Sequence, residues 1–512
     1  MTGRTLALFA FVVAALCAAA SAPARTYDGA SVCAAYTVGY TTSGALRAAV
    51  GDGIDSRIPA LRIARVHLTA DDASHLSKRP GIRFVQRVRE RTTQTEPGLQ
   101  AVLGKSSAWE WQFAAAHEDT VPDSVLRAAS AVTIAVIDTG ADLGAPDLAA
   151  KNPVAFGQRG ANSDVRDSVG HGTFVAALAA GSVTNGEGIA GFGGDARLMI
   201  VKAGAGDGSL TDADEAAAIA YAVDHGARII NLSFGGTSTT ATEKSAMDYA
   251  AAHGVLVVAA AGNEHVVGNP IFYPAALLQP LGSRGVGGIG LAVAASTDSG
   301  ERATFSNTGT YVSLAAPGDG VFSAVSSTAP SSIYPRVPLP GSAHGLYGYG
   351  SGTSFAAPEV AGAAALVMAA NPLLGATDVA RVLKESASGA GAWTPELGFG
   401  VIDVAAAVAL ATGATAEASR AGLRLSARVV KRHVALTATL SSLLTAVSSA
   451  GRAITFERQV HGKWQRVSTI RTDAAGRAQT SLVKAKASVK LRARWAGSVE
   501  LAGAASKTLT LR

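Results

Sequence analysis

Cysteine is scarce in this chain, with two copies, Cys17 and Cys33, among 512 residues. Cys17 lies in an N-terminal segment that we expect to be removed, so no intrachain disulfide is expected in the mature chain. Cys33 would then be a free thiol for as long as its own segment stays attached. Without disulfides, an exported protein depends on its core for stability. A hydrophobic content of 48% is ample for one large core and smaller satellite domains.

Long hydrophobic runs are missing beyond the N-terminus. There, Arg4 precedes an apolar run from Leu6 to Leu16, and small residues follow up to Ala24. This order predicts a signal peptide over residues 1–24, cleaved after Ala24. No later run approaches the roughly 18 apolar residues that cross a bilayer. We therefore expect a secreted, extracellular or envelope-associated protein without a transmembrane segment after signal removal.

Charged residues make up only 16% of the chain, and the two signs are unevenly distributed. Basic residues exceed acidic ones by 6 in residues 1–105 and by 14 in residues 414–512, whereas acidic residues are in excess by 14 in residues 106–413. Such segregation suggests separate domains. We expect a processed segment over residues 25–105, a main domain over 106–413 and a basic domain over 414–512.

Residues 62–90 predict a small α+β unit. RIARVHL alternates like a strand, TADDASHLSKRPG is typical of a short helix, and IRFVQRVRE alternates again. Thr69 and Asp72 have the spacing of a helix cap, and Gly81 is a natural helix stop. A minor globular domain without a special role is the alternative.

From Val132 onward, apolar strands alternate with helical patterns. The strands VTIAVID, RLMIVKA, RIINLSF and VLVVAAAG are continuous apolar runs, which indicate a parallel sheet with helices on both faces. Ligands of such sheets collect at the carboxyl ends of the strands. Asp138, Ser233 and Asn263 each follow a predicted strand, so we expect them at that edge.

The stretch GTSFAAP, Gly352 to Pro358, places a hydroxyl between small residues just before an apolar run typical of a helix. Pro358 is expected in the first turn, where its missing N–H costs little. Ser354 is then at a helix N-terminus, which favours developing negative charge. A tight turn that leads into a packed helix, without any chemistry, is the alternative.

Asp138, His171 and Ser354 are the residue types of nucleophilic catalysis. A hydroxyl is a poor nucleophile unless an imidazole takes its proton, and a carboxylate keeps that imidazole in the right tautomer. Asn263 can offer its side-chain amide to an oxyanion. Taken singly, Asp138 is consistent with a turn residue and His171 with a structural histidine. No G-x-S-x-G sequence surrounds Ser354, and the order Asp, His, Ser excludes the α/β-hydrolase and chymotrypsin arrangements.

The motifs VIDTG, GHGT, AAAGN and GTSFAAP resemble those of the subtilisin family of serine proteases, in the same order. The resemblance implies a subtilisin-like fold and a secreted serine endopeptidase that acts on protein or peptide substrates through an acyl-enzyme. Asp138 would orient His171, which acts as base and then acid. Ser354 would attack, and Asn263 with the Ser354 amide would hold the oxyanion. A catalytically silent exported protein that binds or attaches to surfaces is the competing interpretation.

Around LTADDASHLSKRPGIRFVQ the chain also resembles the inhibitor-like propeptide of secreted subtilisin-type proteases. By that resemblance, residues 25–105 assist folding and act as an intramolecular inhibitor. The maturation cut would fall between about Arg91 and Ala108.

The family resemblance also implies where a substrate binds. The strand edge that pairs with an extended peptide matches Ser233, Phe234 and Gly235. A wall of the primary specificity pocket matches Ala260, Ala261 and Gly262. Phe272 falls at the floor of that pocket, where the family often has glycine. We therefore expect a shallow pocket that favours small substrate residues.

The implied chemistry requires no cofactor. Structural calcium is usual in the family, but this sequence specifies no site for it. The acidic run Asp207–Glu215 is instead expected to cap a helix through Thr211 or Asp212. Two residues depart from the common family pattern. Phe355 stands where the family commonly has methionine, and Glu359 stands where it commonly has histidine.

After Thr412, short alternating runs separated by turn signals predict an all-β sandwich of immunoglobulin-like type. Residues 414–512 hold 18 Lys and Arg against 4 Asp and Glu. This excess suggests attachment to an anionic cell surface or docking on the acidic main domain. A spacer module is the alternative, and no feature predicts a specific nucleic acid partner.

Overall fold

The computed structural model describes residues 33–93, 110–157, 164–186, 188–337, 339 and 346–418, followed by segments 422–430, 433–441, 453–460, 463–473, 477–483, 488–497, 502–505 and 509–511. It divides into two compact units, Met1–Ala369 with Leu383–Ala405, and Ala370–Val382 with Ala406–Arg512. The predicted signal peptide lies outside the described residues. The domain limits expected at residues 105 and 413 stay predictions.

The strands up to residue 350 are β1 (Ala34–Tyr40), β2 (Ser56–Ile58), β3 (Ile63–Leu68), β4 (Ile82–Arg87), β5 (Glu90–Thr93), β6 (Thr133–Asp138), β7 (Val154–Gly157), β8 (Arg197–Lys202), β9 (Ser209–Thr211), β10 (Ile229–Leu232), β11 (Phe234–Gly235), β12 (Leu256–Ala260), β13 (Gly290–Ser296), β14 (Leu314–Pro317), β15 (Val321–Ala324), β16 (Arg336–Val337) and β17 (Tyr347–Gly350). The α-helices are α1 (Ser43–Val50), α2 (Ala70–Ser77), α3 (Trp111–Ala115), α4 (Asp123–Ala128), α5 (Pro146–Ala149), α6 (His171–Ala180), α7 (Asp212–Asp224), α8 (Ala241–Ala252), α9 (Ala275–Leu278), α10 (Thr353–Ala370), α11 (Ala376–Ser386) and α12 (Val404–Ala418).

The N-terminal segment folds as the predicted α+β unit. An antiparallel sheet in the order β2-β3-β1-β4 packs with α1 and α2 around a small apolar core. Thr69 caps α2 by accepting a hydrogen bond from Asp72 N at 3.1 Å, which confirms the predicted start of that helix. Cys33 is disulfide-bonded in the unprocessed chain, and the expectation of a free thiol, which concerns the chain after removal of residues 1–24, stays a prediction.

A seven-stranded sheet in the order β14-β13-β12-β10-β6-β8-β7 forms the centre of the main domain, and every neighbouring pair is parallel. In β6, the residues from Ile134 to Ile137 are all 0% exposed. Because successive strand residues point to opposite faces, both faces of the sheet must be covered. The predicted α/β fold, a parallel sheet with helices on both faces, is confirmed.

The helix α10, which carries Ser354, runs through the interior. Its residues from Thr353 to Met368 are all buried. The expectation that no later segment approaches the length of a bilayer span is wrong by length and composition alone, because this helix of 18 residues meets both criteria, but 89% of its apolar window is buried inside the protein. It therefore has the properties of a core helix.

The second unit contains the strands β18 (Gly422–Val430), β19 (His433–Ser441), β20 (Ala453–Val460), β21 (Lys463–Arg471), β22 (Arg477–Val483), β23 (Val489–Gly497), β24 (Ala502–Ala505) and β25 (Leu509–Leu511). They form two antiparallel sheets, β18-β19-β22 and β21-β20-β23-β24, with β25 paired to β23. Leu436 of one sheet and Phe456 of the other belong to one buried cluster. The predicted all-β sandwich is confirmed.

Glu359 is the acidic side chain within α10. It is fully buried, and neither carboxylate oxygen has a hydrogen-bond partner among the described residues. Burial raises the pKa of Glu359 well above its usual range, because a lone charge is costly away from water.

This burial generates a pH-dependent stability. With a folded pKa above the unfolded value of about 4.3, the folded state binds the proton more tightly. Stability relative to a neutral side chain is therefore greatest below the unfolded pKa and falls as the pH rises toward the folded pKa. As the pH rises across that window, we expect the free energy of unfolding of Glu359→Gln to increase relative to that of the wild type by about 1.4 kcal/mol per pH unit.

The measurement is chemical unfolding between pH 4 and 9, with Ser354→Ala present in every variant to prevent the self-digestion that the family resemblance implies. Glu396→Gln, at an exposed position, is the matched control. A stability difference that does not change with pH for Glu359→Gln would contradict the assignment.

Candidate active site

Asp138 and His171 are in direct contact at the carboxyl edge of the sheet. Asp138 ends β6, His171 begins α6, and Asp138 Oδ1 lies 2.7 Å from His171 Nδ1. Thr139 N donates to the same carboxylate oxygen at 2.7 Å. The side chains of Asp138 and His171 are both buried. A carboxylate at Nδ1 favours the tautomer with its proton on that nitrogen, so Nε2 is the basic position.

The contact depends on a close approach of two backbone segments. A Cβ on Gly172 would lie 2.1 Å from Gly140 O, so no larger residue fits at the start of α6. Gly172 N also donates to Thr139 Oγ1 at 2.9 Å. The strand end and the helix start are thereby joined by a second hydrogen bond next to the one between Asp138 and His171.

Asp167 is a buried residue of this site that sequence reasoning missed. Its carboxylate accepts hydrogen bonds from Thr139 Oγ1 at 2.8 Å, from Gly170 N at 2.8 Å and from Thr173 N at 2.7 Å. It therefore links the end of β6 to the first turn of α6. Asp167 lies four positions before the helix start, outside the usual cap position immediately before a helix, so no local pattern in the sequence indicated it.

Ser354 is the second residue of α10, as expected for a hydroxyl at a helix N-terminus. Its Oγ donates to Ser233 O at 3.1 Å. The prediction that Pro358 lies in the first turn is wrong, because α10 begins at Thr353 and Pro358 is inside the helix. Pro358 has no N–H for the carbonyl of Ser354. The Ser233 hydroxyl donates to that carbonyl instead, at 2.7 Å, and is itself held by Asn231 Nδ2 at 2.8 Å.

Asn263 follows β12 and is anchored through one end of its amide. Its Oδ1 accepts from Thr353 N at 2.8 Å and from Thr353 Oγ1 at 2.9 Å. Its Nδ2 is buried and has no hydrogen-bond partner among the described residues. A donor that is fixed, buried and unused, next to the residue preceding Ser354, is what an oxyanion requires.

The predicted strand edge is occupied by the N-terminal segment itself. Phe234 and Gly235 form β11, which pairs antiparallel with β5 in the register Phe234 to Thr93 and Gly235 to Thr92. Ser233, the residue before β11, contacts Ser354. An extended segment of the chain is thus paired with this edge, and the residue next to the edge, Ser233, accepts a hydrogen bond from the Ser354 hydroxyl.

The predicted pocket residues lie close to this edge. Ala260 and Ala261 are fully buried, and Gly262 N donates to Thr353 Oγ1 at 3.1 Å. Phe272 is 4% exposed and packs on Gly235, where a Cβ would lie 2.5 Å from its ring.

A cavity of about 310 Å³ is lined by Gly235, Gly236, Phe272 and Glu264 together with residues of β5. Glu264, which sequence reasoning did not identify, accepts a hydrogen bond from Asn263 N at 2.9 Å.

Phe355 and the acidic run also have defined surroundings. The buried Phe355 ring lies 4.3 Å from that of Phe174 and 5.7 Å from that of His171, measured between centroids. Thr211 and Asp214 form a reciprocal capping box on α7, which confirms Thr211 as the cap. In the part of the chain that the structure describes, no group of three or more His, Cys, Asp or Glu is arranged to hold a metal ion.

Comparisons with known proteins identify the family. The family model described as "Subtilase family" matches residues 129–400. Thermitase from Thermoactinomyces vulgaris is 34% identical over 243 residues, which are 46% of this chain and 75% of that protein. The thermophilic serine proteinase of Bacillus sp. (strain AK1) is 36% identical over 48% of this chain and 53% of its own length. The cell wall-associated protease of Bacillus subtilis (strain 168) is 40% identical over 50% of this chain and 25% of its own length.

The chain therefore spans about half of the length of the Bacillus sp. proteinase and a quarter of the length of the Bacillus subtilis protease. Among solved structures, fervidolysin from Fervidobacterium pennivorans, a keratinolytic enzyme related to subtilisin, matches with a TM-score of 0.61 at 23% identity. The match covers 92% of this chain and 72% of fervidolysin, and it supports the fold. Since the family model matches more than half of the sequence, this chain belongs to the subtilase family.

Proposed function

We propose that the chain is a secreted serine endopeptidase that cleaves protein or peptide substrates through an acyl-enzyme. The observation that carries the proposal is the 2.7 Å contact between Asp138 and His171 at the same sheet edge as Ser354 and Asn263, whose Nδ2 has no hydrogen-bond partner among the described residues. Membership in the subtilase family, whose relatives are named as proteases, supports the same reaction class.

The proposed reaction follows from the roles of these groups. His171 takes the proton of Ser354 as its Oγ attacks the peptide carbonyl, and Asp138 stabilises the imidazolium. Asn263 Nδ2 and the Ser354 N–H hold the negative oxygen. His171 then gives the proton to the leaving amine, and a water molecule hydrolyses the ester by the reverse route. The Ser233 bond to the Ser354 carbonyl keeps the first turn of α10 in place.

Residues 25–105 are proposed as an intramolecular inhibitor. Strand β5 fills the edge that a substrate would use. Behind it, Gln86 Oε1 accepts from Ala241 N at 2.6 Å, and Arg89 O accepts from Asp212 N at 2.9 Å. These bonds satisfy free N–H groups at the starts of α8 and α7. The segment thus blocks the site while it stays attached.

Replacement of the nucleophile tests the proposed function. Ser354→Ala should lower kcat by about 10⁶-fold and leave the N-terminal segment attached, because self-processing uses the same serine. The measurement is hydrolysis of a protein substrate together with the mass of the purified chain. Ser299→Ala, at an exposed turn, should process and cleave normally. Normal activity or normal processing of Ser354→Ala in a protease-free host would overturn the proposal.

Phe272 is proposed to make the primary specificity pocket shallow, since its ring packs directly on Gly235. Wild-type enzyme should prefer Ala over Phe or Tyr at the residue before the cut bond. Phe272→Gly should raise kcat/KM for Phe substrates by about 10-fold or more. A set of peptides that differ only at this residue measures both effects. Strong cleavage after Phe or Tyr by the wild type would contradict the proposal.

Residues 414–512 are proposed to attach the enzyme to an anionic cell surface through their excess of Lys and Arg. Salt should release the intact protein from such cells, because exposed charge pairs are screened. A version that ends at Thr412 should not bind at low salt. Binding of the intact protein that does not respond to salt would remove this role.

A further inference from the structure

The side chain of Arg91 occupies a buried acidic pocket beneath β5. It is 1% exposed although it lies on a strand at the edge of the site. Its Nη2 lies 3.0 Å from Glu243 Oε1, and its Nε lies 3.6 Å from Glu215 Oε2. The guanidinium is therefore held between two carboxylates, a geometry that suits its planar fork of donors.

The pocket belongs to the main domain, not to the segment that fills it. Asp212 and Glu215 lie in the first turn of α7, Glu243 lies in the first turn of α8, and all three are 0% exposed. Burial raises the pKa of each carboxyl group. Glu215 Oε1 and Glu243 Oε2 have no hydrogen-bond partner among the described residues. Such a concentration of buried carboxylates is costly without a cation, so the pocket is built to receive one.

The strand that delivers Arg91 lies as a bound substrate would lie. β5 pairs antiparallel on both sides, with β11 and with β9, and Arg91 is opposite Leu210. Thr93 is opposite Phe234, and the neighbouring Ser233 contacts the Ser354 hydroxyl. Antiparallel pairing advances one residue at a time. A substrate residue opposite Ser233 is therefore the third residue after the one in the acidic pocket.

Resting on the proposed endopeptidase function, we propose that Asp212, Glu215 and Glu243 form a specificity pocket for a basic side chain of the substrate. The basic residue is the fourth before the cut bond, three positions ahead of the residue whose carbonyl is attacked. Arginine fits better than lysine because two carboxylates can share its donors. The same pocket first binds Arg91 and is vacated when the N-terminal segment leaves.

The alternative is a pocket that serves only to dock the N-terminal segment. Fluorogenic peptides that differ solely at the fourth residue distinguish the two, when cleaved by mature wild-type enzyme. Arginine, lysine, citrulline, leucine and alanine are compared, with citrulline as the neutral counterpart of arginine. We expect kcat/KM for arginine to exceed that for citrulline and alanine by at least about 10-fold.

Glu215→Gln and Glu243→Gln should reduce the ratio of the arginine value to the alanine value by about 10-fold to 100-fold. Glu301→Gln, at an exposed position, should leave this ratio unchanged. The arginine and citrulline comparison on the wild type remains decisive if a variant fails to fold. Cleavage without an arginine preference, or with a leucine preference, overturns the pocket assignment alone. Absence of cleavage of every peptide overturns the proposed function together with the pocket.

Discussion

The hydrogen bond between Asp138 and His171 requires the end of β6 and the start of α6 to meet with almost no space between their backbones. The backbones of Gly172 and Gly140 can approach so closely because Gly172 has no side chain. Asp167 then fixes it, because its carboxylate binds the residues on both sides of the junction. The parallel sheet supplies the setting, since the carboxyl ends of its strands meet at one edge. Asn263 and Ser233 reach the same edge from β12 and β10.

The serine is positioned by a second interaction of this kind. Pro358 deprives the Ser354 carbonyl of its helical partner, and the Ser233 hydroxyl takes that place. Ser233 also precedes β11, where the N-terminal segment is seated. The residue that bonds to the start of α10 therefore also begins the edge on which β5 pairs. The position of β5 and the position of Ser354 are thus linked through one residue, Ser233.

The sequence alone predicted the positions of residues that are placed by the strand or helix next to them in the chain. Asp138, His171 and Asn263 sit directly at strand ends or a helix start, so short motifs predicted their places correctly. Arg91 and Glu243 are 152 positions apart, and no local pattern predicts such a contact. The acidic residues Asp212 and Glu215 fitted a capping role, since carboxylates favour helix starts. Their burial against a cation depends on tertiary structure. Pro358 was misplaced because the exact first residue of a helix is weakly encoded.

The central claim is that Ser354 is a nucleophile activated at this edge of the sheet. The most direct measurement is reaction of the mature protein with a fluorophosphonate probe, followed by mass spectrometry of the digested chain. We expect one adduct, on Ser354, whose formation is lost in His171→Ala. No adduct with folded protein, or an adduct on another residue, would contradict it.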